Sequence, residues 1–166
     1  PKTFENLGML WTSGQLLQAG IGQSEIAVTP LQMAVTAMTI ANEGVRYKPY
    51  LVDSIWDYSM NKCISKTEPT VVSKIDLNYD YVYDFIENGM IKASQNTPNG
   101  EYSLNGLGYD VAIKTGTPQS ARGTDSSFIG YAPADNPQVA FAGIVEGGEY
   151  SKYMVRKILD VYDKYY

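Results

Sequence analysis

Hydrophobic residues recur with helical spacing after Thr29-Pro30, a capping hydroxyl followed by a proline that suits the first turn of a helix. One face of this helix collects five apolar residues: Leu31, Ala34, Val35, Met38 and Ala41. A stop signal follows at Asn42-Glu43-Gly44. The pattern therefore predicts a buried helix over 29–43.

Two later segments have the same period. One begins at Asp76, which serves as its cap, and extends to about Ser94; its recurring positions are Leu77, Tyr81, Phe85, Gly89 and Met90. The other begins at about Ser151, and its packing face consists of Met154, Val155, Ile158, Leu159 and Tyr162. The spacing predicts two further helices, the last of them amphipathic.

Strand patterns occupy most of the remaining chain. Apolar or alternating runs predict strands at 50–58, 109–117, 126–132 and 138–145. The first run turns near Asn61-Lys62, residues 133–137 form the turn between the last two strands, and a polar loop covers 96–108. The predicted fold is α/β (α+β), an antiparallel sheet covered by helices on both faces.

Composition and charge exclude one class of partner. The 166-residue chain is 44% hydrophobic and 19% charged, which is typical of one folded domain. Its net charge is −5, and it has no run of Lys or Arg. Because nucleic-acid affinity depends on clustered cations, we expect no nucleic-acid partner.

The chain contains no histidine and a single cysteine, Cys63. One cysteine cannot form an intrachain disulfide, and without histidine the usual zinc and copper sites are excluded. Ser-His-Asp and Cys-His catalysis are excluded for the same reason, so a serine enzyme of this composition would need lysine as its base. We expect no metal site, and Cys63 is more simply an incidental thiol than a ligand.

No stretch approaches the roughly 20 apolar residues of a membrane span, and residues 1–5 do not have the features of a signal peptide. The chain opens at Pro1 without a methionine. We therefore expect it to be part of a longer protein.

The strand predicted at 109–117 ends in Lys114-Thr115-Gly116-Thr117. Alternation places the Lys114 side chain on one face and both threonine hydroxyls on the other. Gly116 has no side chain, so a substrate backbone can approach there and add to the sheet as a further strand. Lys114 offers a fixed cation, while Thr117 offers a hydroxyl for a carboxylate and a backbone N–H for an oxyanion hole. The alternative interpretation is a strand end with a solvated lysine.

Three blocks of the sequence together resemble the penicillin-binding proteins. The first block is similar to the helix between the family's second and third motifs, and it comprises Gly20-Ile21-Gly22-Gln23, Thr29-Pro30-Leu31-Gln32-Met33-Ala34 and Ala41-Asn42-Glu43-Gly44. The second, Lys114 to Thr117, matches the Lys-Thr-Gly motif. The third, Phe128 to Pro133 with the strand and helix after it, looks like the closing hairpin and helix. Their order and spacing agree with the family over nearly the whole chain, and class B transpeptidases look closest.

The resemblance implies a serine D,D-transpeptidase that acts on the D-Ala-D-Ala end of a peptidoglycan stem peptide, is acylated by β-lactams and needs no cofactor. It implies that Lys114 polarises the serine of a Ser-x-Asn motif, that Thr115 and Thr117 hold the substrate carboxylate, and that Gly116 keeps the strand edge open. It places the working domain outside the cytoplasmic membrane, tethered by an upstream segment. A D,D-carboxypeptidase, a β-lactamase or a non-catalytic β-lactam sensor or scaffold fits the same blocks.

Formal matches to the other two motifs disagree with the family's order. Ser59-x-x-Lys62 has the string of the nucleophile motif, but it follows the helix that it should precede and lies beside a predicted turn. Ser94-Gln95-Asn96 and Ser103-Leu104-Asn105 fit Ser-x-Asn, yet Ser and Asn favour helix ends and turns. We therefore expect residues 1–166 to be the C-terminal portion of a single transpeptidase domain. Its Ser-x-x-Lys and Ser-x-Asn motifs would lie in an upstream half, the chain's structural partner.

Two smaller expectations concern the surroundings of the motif. By resemblance, Trp11, Gly14 and Gln15 border the cleft, although core packing explains them equally well. Pro118 follows the motif and should end regular strand pairing there, because proline lacks a backbone N–H.

Overall fold

The computed structural model describes residues 2–6, 8, 10–23, 27–79, 81–96, 100–120, 123–148 and 151–166. Its helices are α1 (Lys2–Asn6), α2 (Ser13–Gly20), α3 (Pro30–Ala41), α4 (Tyr81–Gln95) and α5 (Ser151–Tyr165). Its strands are β1 (Val45–Tyr47), β2 (Ser54–Trp56), β3 (Cys63–Lys66), β4 (Val71–Lys74), β5 (Ala112–Gly116), β6 (Gln119–Ser120), β7 (Gly123–Thr124), β8 (Ser126–Ala132) and β9 (Val139–Val145).

The main sheet has three antiparallel strands in the order β5-β8-β9. Lys114 pairs with Ile129 and Gly116 with Ser127, so the register between β5 and β8 is regular through the Lys-Thr-Gly triplet. Among the described residues β5 pairs only with β8. The predicted antiparallel meander is confirmed, and the strand with the motif lies at an edge of the sheet.

Helices cover both faces of this sheet, as predicted. On one face a buried cluster joins α5 to the strands: Leu104, Val111, Ile113, Phe128, Ala132, Phe141, Val155 and Leu159. On the other face a second cluster joins α3 and α4 to the strands: Met90, Ala112, Tyr131 and Ala134, with Ile40, Ala41, Ile86, Ile91 and Ala140 around them. The neighbours Ala112 and Ile113 therefore belong to opposite cores, which fixes β5 from both sides.

Two glycines make room for phenylalanine rings in the middle of the sheet. A Cβ on Gly143 would lie 2.5 Å from the ring of Phe128, its partner across the strands. A Cβ on Gly130 would lie 2.8 Å from the ring of Phe141 and 2.5 Å from the Ala112 carbonyl oxygen. Each ring thus fills the space that a side chain on the opposite strand would need.

The helix predicted over 29–43 is α3, but its predicted buried face is wrong. Thr29 and Gln32 form a capping box: the Gln32 N–H donates to Thr29 Oγ1 at 3.2 Å and the Thr29 N–H donates to Gln32 Oε1 at 2.8 Å. The buried residues are Ala37 and Thr39, whereas Leu31 is 59% exposed. Because this helix is apolar nearly all round, its periodicity does not determine which face is buried. Contact with β8 and β9 determines the buried face.

The second predicted helix begins later than its pattern indicated. Asp76 does not cap it, since Asp76 Oδ1 accepts a hydrogen bond from the Asn78 N–H at 2.9 Å and forms a local turn. Asn78 has a φ of 62°, and α4 begins at Tyr81. The terminal helix does begin at Ser151, as predicted.

Between α3 and α4 the structure contains four short strands where the sequence predicted one over 50–58. β1 pairs with β4 and β2 pairs with β3, both antiparallel, and the chain turns between β2 and β3 near Asn61-Lys62 as predicted. Every residue of β3 and β4 is exposed, so no apolar period marks them.

The strand predicted at 109–117 is shorter, Ala112–Gly116, and α1, α2, β6 and β7 were not predicted.

Candidate active site

The two cores end where the Lys-Thr-Gly triplet begins. Ala112 and Ile113 are 0% exposed, whereas Lys114 is exposed and Thr115 half-buried. Because side chains alternate along a strand, Lys114 shares the face of Ala112, on the side of α3 and α4. Thr115 shares the face of Ile113, on the side of α5. Lys114 and Thr115 therefore lie on opposite faces, as predicted.

A groove of about 240 Å³ lies beside this strand, and we call it the lysine groove. Its lining combines all three blocks of the sequence: Ile21, Gly22, Gln23, Met33, Lys114, Thr115, Gly116, Thr117, Pro118, Ser127, Phe128 and Ile129. Gly22, in the turn after α2, has a φ of 76°, a backbone conformation that favours glycine. Segments far apart in sequence thus meet at the motif.

Lys114 has no carboxylate neighbour in the part of the chain that the structure describes. Its Nζ donates a hydrogen bond to the backbone carbonyl oxygen of Thr115. Among the described residues, ion pairs join Arg156 to Asp160, and Lys157 to Glu101 and Asp160. The ammonium group is therefore exposed in the lysine groove without a negative counterpart from these residues.

Gly116 has little room for a side chain beside the neighbouring strand. A Cβ on Gly116 would lie 2.7 Å from Ser127 Oγ, which is closer than side-chain atoms normally approach. Beyond it Thr117 is exposed and lies past the last ladder residue. The ladder between β5 and β8 stops at Gly116, as expected from Pro118, although the Pro118 carbonyl still accepts from the Asp125 N–H at 2.9 Å.

The Ser59-x-x-Lys62 string lies in a turn. The Ser59 hydroxyl donates to Asp57 Oδ2 at 2.9 Å, and the backbone N–H groups of Asn61 and Lys62 donate to Asp57 Oδ1 at 2.9 and 3.2 Å. These bonds, led by the one from Ser59, hold the pKa of Asp57 below its ordinary value. Asp57 thus caps the turn between β2 and β3 in which Ser59 lies. No helix places Lys62 over Ser59, and neither Ser59 nor Lys62 lines the lysine groove.

The two Ser-x-Asn strings have structural roles, as the sequence indicated. Ser94 lies in the last turn of α4, where its hydroxyl donates to the Ile91 carbonyl at 2.7 Å. Ser103 Oγ accepts from the Asn105 N–H at 3.3 Å at the start of a short 3-10 helix, Leu104–Gly106. Neither string contributes to the lysine groove.

Trp11, Gly14 and Gln15 do not line the groove either. The Trp11 ring packs edge-on against Phe4, with centroids 4.9 Å apart, and Gln15 forms a capping box with Thr12 at the start of α2. Packing and capping account for Trp11 and Gln15. Ser127 is the groove residue that sequence reasoning did not single out; it comes from the neighbouring strand β8, and no local signal marks it.

The described residues contain no group of three or more His, Cys, Asp or Glu side chains placed to hold a metal ion. None of the helices within the described ranges is both long and apolar enough to span a bilayer. Cys63 is exposed.

The model of one family, the penicillin binding protein transpeptidase domain, matches residues 3–160. The chain belongs to this family. The resemblance carried by the three sequence blocks is therefore confirmed, and the solved structures of relatives confirm the fold class.

Individual relatives are bacterial penicillin-binding proteins. Penicillin-binding protein 2A of Bacillus subtilis is 35% identical over 148 residues, which cover 80% of this chain and 20% of that protein. Peptidoglycan D,D-transpeptidase PbpA of Mycolicibacterium smegmatis is 35% identical over 148 residues, covering 85% and 28%. The structure of penicillin-binding protein 2B from Streptococcus pneumoniae R6 superposes with a TM-score of 0.81 at 28% identity, covering 95% and 28%. The chain thus spans between a fifth and about three tenths of these relatives.

Proposed function

We propose that the protein containing this chain is a serine-type peptidoglycan D,D-transpeptidase, which cross-links stem peptides and is acylated by β-lactams at the same serine. The observation that carries the proposal is the meeting of three family blocks in one groove, beside the edge strand with Lys114. A relative supports the chemistry: penicillin-binding protein A of M. tuberculosis, 29% identical over 86% of this chain with a TM-score of 0.73, was solved as an imipenem acyl-enzyme complex.

The reaction proceeds by two acyl transfers. A serine hydroxyl attacks the carbonyl of the D-Ala-D-Ala amide, the C–N bond breaks, and D-alanine leaves as an amine that takes up a proton. An amine of a neighbouring stem peptide then attacks the serine ester, forms a new amide and returns the proton to the serine. This scheme uses no cofactor.

Four residues at the end of the edge strand carry roles in this scheme. Lys114, which faces the lysine groove, polarises the serine of the upstream Ser-x-Asn motif and assists proton transfer to the leaving amine. Thr117 lies past the strand end, where its hydroxyl can bind the substrate carboxylate and its backbone N–H can bind the oxyanion. Thr115 lines the same edge and assists in binding the carboxylate. Gly116 leaves the edge open for the substrate backbone.

The nucleophile belongs to a segment outside these 166 residues. Ser59-x-x-Lys62 is the one Ser-x-x-Lys string in the sequence, and it forms a turn. Residues 1–166 therefore form the C-terminal portion of a transpeptidase domain, and the upstream half that bears the two serine motifs packs on it. In this scheme the complete protein works at the outer face of the bacterial cell membrane, anchored by a segment that this chain does not include.

The test uses a complete transpeptidase domain and a labelled penicillin. We expect Lys114→Ala to lower the acylation rate at least about a hundredfold, because losing one preorganised transition-state contact costs ~2.7–4 kcal/mol. Lys114 is exposed, so stability should change little. Lys62→Ala, which removes another exposed lysine, serves as the matched control and should acylate normally.

Two results would contradict the proposal: normal acylation of Lys114→Ala, or a label that mass spectrometry maps to any serine of residues 1–166. The rival activities are separated by the fate of the adduct and of the acyl donor. A β-lactamase releases the penicilloyl group quickly, a carboxypeptidase passes the peptide to water even when an acceptor amine is present, and a sensor turns over neither.

A further inference from the structure

Residues 45–74 form a two-stranded ribbon that ends in a hairpin. β1 pairs with β4, the Lys48 N–H donates to the Thr70 carbonyl oxygen at 2.9 Å, and β2 pairs with β3 further along the ribbon. β2 and β3 make no extended contact with any other described helix or strand. The hairpin therefore projects from the body of the chain, and neither of its strands lines the lysine groove.

Local hydrogen bonds fix the hairpin at both ends. At its base the Thr67 N–H donates to the Asp53 carbonyl oxygen at 2.7 Å, and the Thr67 hydroxyl donates to the Val52 carbonyl oxygen at 2.6 Å. At its tip the Asp57 carboxylate closes the turn. These bonds hold the shape of the hairpin without contacts from the rest of the chain.

Both faces of the hairpin expose apolar side chains. Ile55 is 53% exposed on one face, while Ile64 and Trp56, on the other face, are 63% and 44% exposed. Within the described residues no other strand pairs with the outer edge of β3. A two-stranded hairpin is only marginally stable by itself in water, and a third strand normally completes such a unit. The open edge of β3 is therefore a place where another strand can add.

Lysines flank the apolar residue at this open edge. Lys62, Ile64 and Lys66 occupy alternate positions and all three are exposed. None of the ion pairs among the described residues involves Lys62 or Lys66. Residues 45–74 contain five Lys or Arg and three Asp or Glu, whereas the whole chain has a net charge of −5. The edge thus favours a strand with a carboxylate two residues before and two residues after an apolar side chain.

The same charges disfavour symmetric pairing between two copies of the hairpin. Two antiparallel β3 strands paired edge to edge would place Lys62 of each copy opposite Lys66 of the other. Two β2 strands would place Asp53 opposite Asp57 in the same way. Like charges directly opposite one another destabilise a strand pair. The edge is therefore better matched to a different chain of opposite charge than to itself.

We propose that the hairpin of residues 53–67 docks an extended segment of a partner protein, which adds to β3 as a third strand. The segment alternates Asp or Glu with an apolar residue, so that its carboxylates lie opposite Lys62 and Lys66 and its apolar side chain covers Ile64 and Trp56. The unpaired backbone of β3 favours a strand over a lipid surface, because lipid cannot continue the ladder of backbone hydrogen bonds. This docking is separate from acyl transfer, since the hairpin does not line the lysine groove.

The experiment measures binding of two blocked synthetic peptides to a complete transpeptidase domain by calorimetry at low and high salt. The acidic peptide is Thr-Glu-Thr-Val-Thr-Glu-Thr, and in the basic peptide lysine replaces both glutamates. We expect the wild type to bind the acidic peptide, more weakly at high salt, and not the basic one. The double variant Lys62→Glu, Lys66→Glu should bind the acidic peptide at least about tenfold more weakly and should bind the basic peptide instead.

The matched control is the double variant Lys92→Glu, Lys164→Glu. These lysines are exposed on α4 and α5, and their reversal changes the net charge by the same amount. The control should bind the acidic peptide as the wild type does. Both double variants should keep wild-type penicillin acylation, which reports an intact fold. If the variant at residues 62 and 66 failed to fold, the comparison of the two peptides on the wild type would still decide.

Three results with the peptides overturn the proposal: no binding of the acidic peptide to the wild type, equal binding of both peptides, or undiminished binding of the acidic peptide after charge reversal at Lys62 and Lys66. Two other occupants are tested in parallel. Binding to phosphatidylglycerol vesicles without peptide binding would make the hairpin a membrane contact. Dimerisation in sedimentation that charge reversal abolishes would make it an interface between copies. Either result would also overturn the proposal, whereas penicillin acylation by the wild type judges the proposed function separately.

Discussion

Gly130 is a position where one added methyl group should disturb both the sheet and the active site. A Cβ there would lie 2.5 Å from the Ala112 carbonyl oxygen and 2.8 Å from the Phe141 ring. The first neighbour is backbone of β5 and the second is a ring that is 6% exposed, so neither can move aside by a simple rotation. Overpacking in a core costs ~1–3 kcal/mol, and a clash with backbone belongs at the upper end.

The same clash reaches the Lys-Thr-Gly strand. Gly130 pairs with Ile113, the residue before Lys114, and relief of the contact with Ala112 requires β5 to move away from β8. A displacement of the edge strand would misplace the Lys114 ammonium group relative to the reacting atoms. We therefore expect Gly130→Ala to lose about 3 kcal/mol of unfolding free energy and also to slow penicillin acylation about tenfold or more.

The assay compares two glycine-to-alanine substitutions in a complete transpeptidase domain, by urea unfolding and by acylation rate. Gly89 lies inside α4, and a Cβ there meets nothing within 4 Å. Since alanine is the better helix former, Gly89→Ala should stabilise the domain by ~0.5–1 kcal/mol and leave acylation unchanged. If Gly130→Ala proved as stable as Gly89→Ala, the close packing of β5, β8 and β9 described above would be wrong.

Two further substitutions test the site and the core. Thr117→Val keeps the β-branched shape but deletes the hydroxyl. We expect its free energy of penicillin binding to weaken by ~1.5–3 kcal/mol, the contribution of a hydrogen bond to a charged group, with stability unchanged. Equal penicillin affinity of the variant and the wild type would remove Thr117 from the site. Tyr131 donates to Glu87 Oε2 at 3.0 Å, and burial followed by this bond raises its pKa above the ordinary 10.0. Above pH 10 the unfolded chain releases this proton while the folded chain keeps it, so stability should fall by up to about 1.4 kcal/mol per pH unit. Tyr131→Phe should cost about 1 kcal/mol near pH 7 and show a shallower alkaline decline in chemical unfolding, and an unchanged decline would contradict the assignment.

Local interactions explain the elements that could be predicted from the sequence. The capping box of Thr29 and Gln32 and the proline between them set the start of α3 within one turn, and strands β8 and β9 alternate through two cores. The amphipathic period after Ser151 likewise marks α5. The candidate chemistry was also local, because Lys114 to Thr117 form a contiguous motif whose strand fixes the faces of its side chains.

Only the tertiary structure decided what surrounds that motif. An apolar helix such as α3 presents several possible faces, and its contact with the sheet buries Ala37 rather than Leu31. The strands of residues 45–74 pair with one another, and two of them, β3 and β4, are fully exposed, so no apolar period marks them. The lysine groove joins residues from distant segments, and such neighbours arise from packing that periodicity along the chain does not encode.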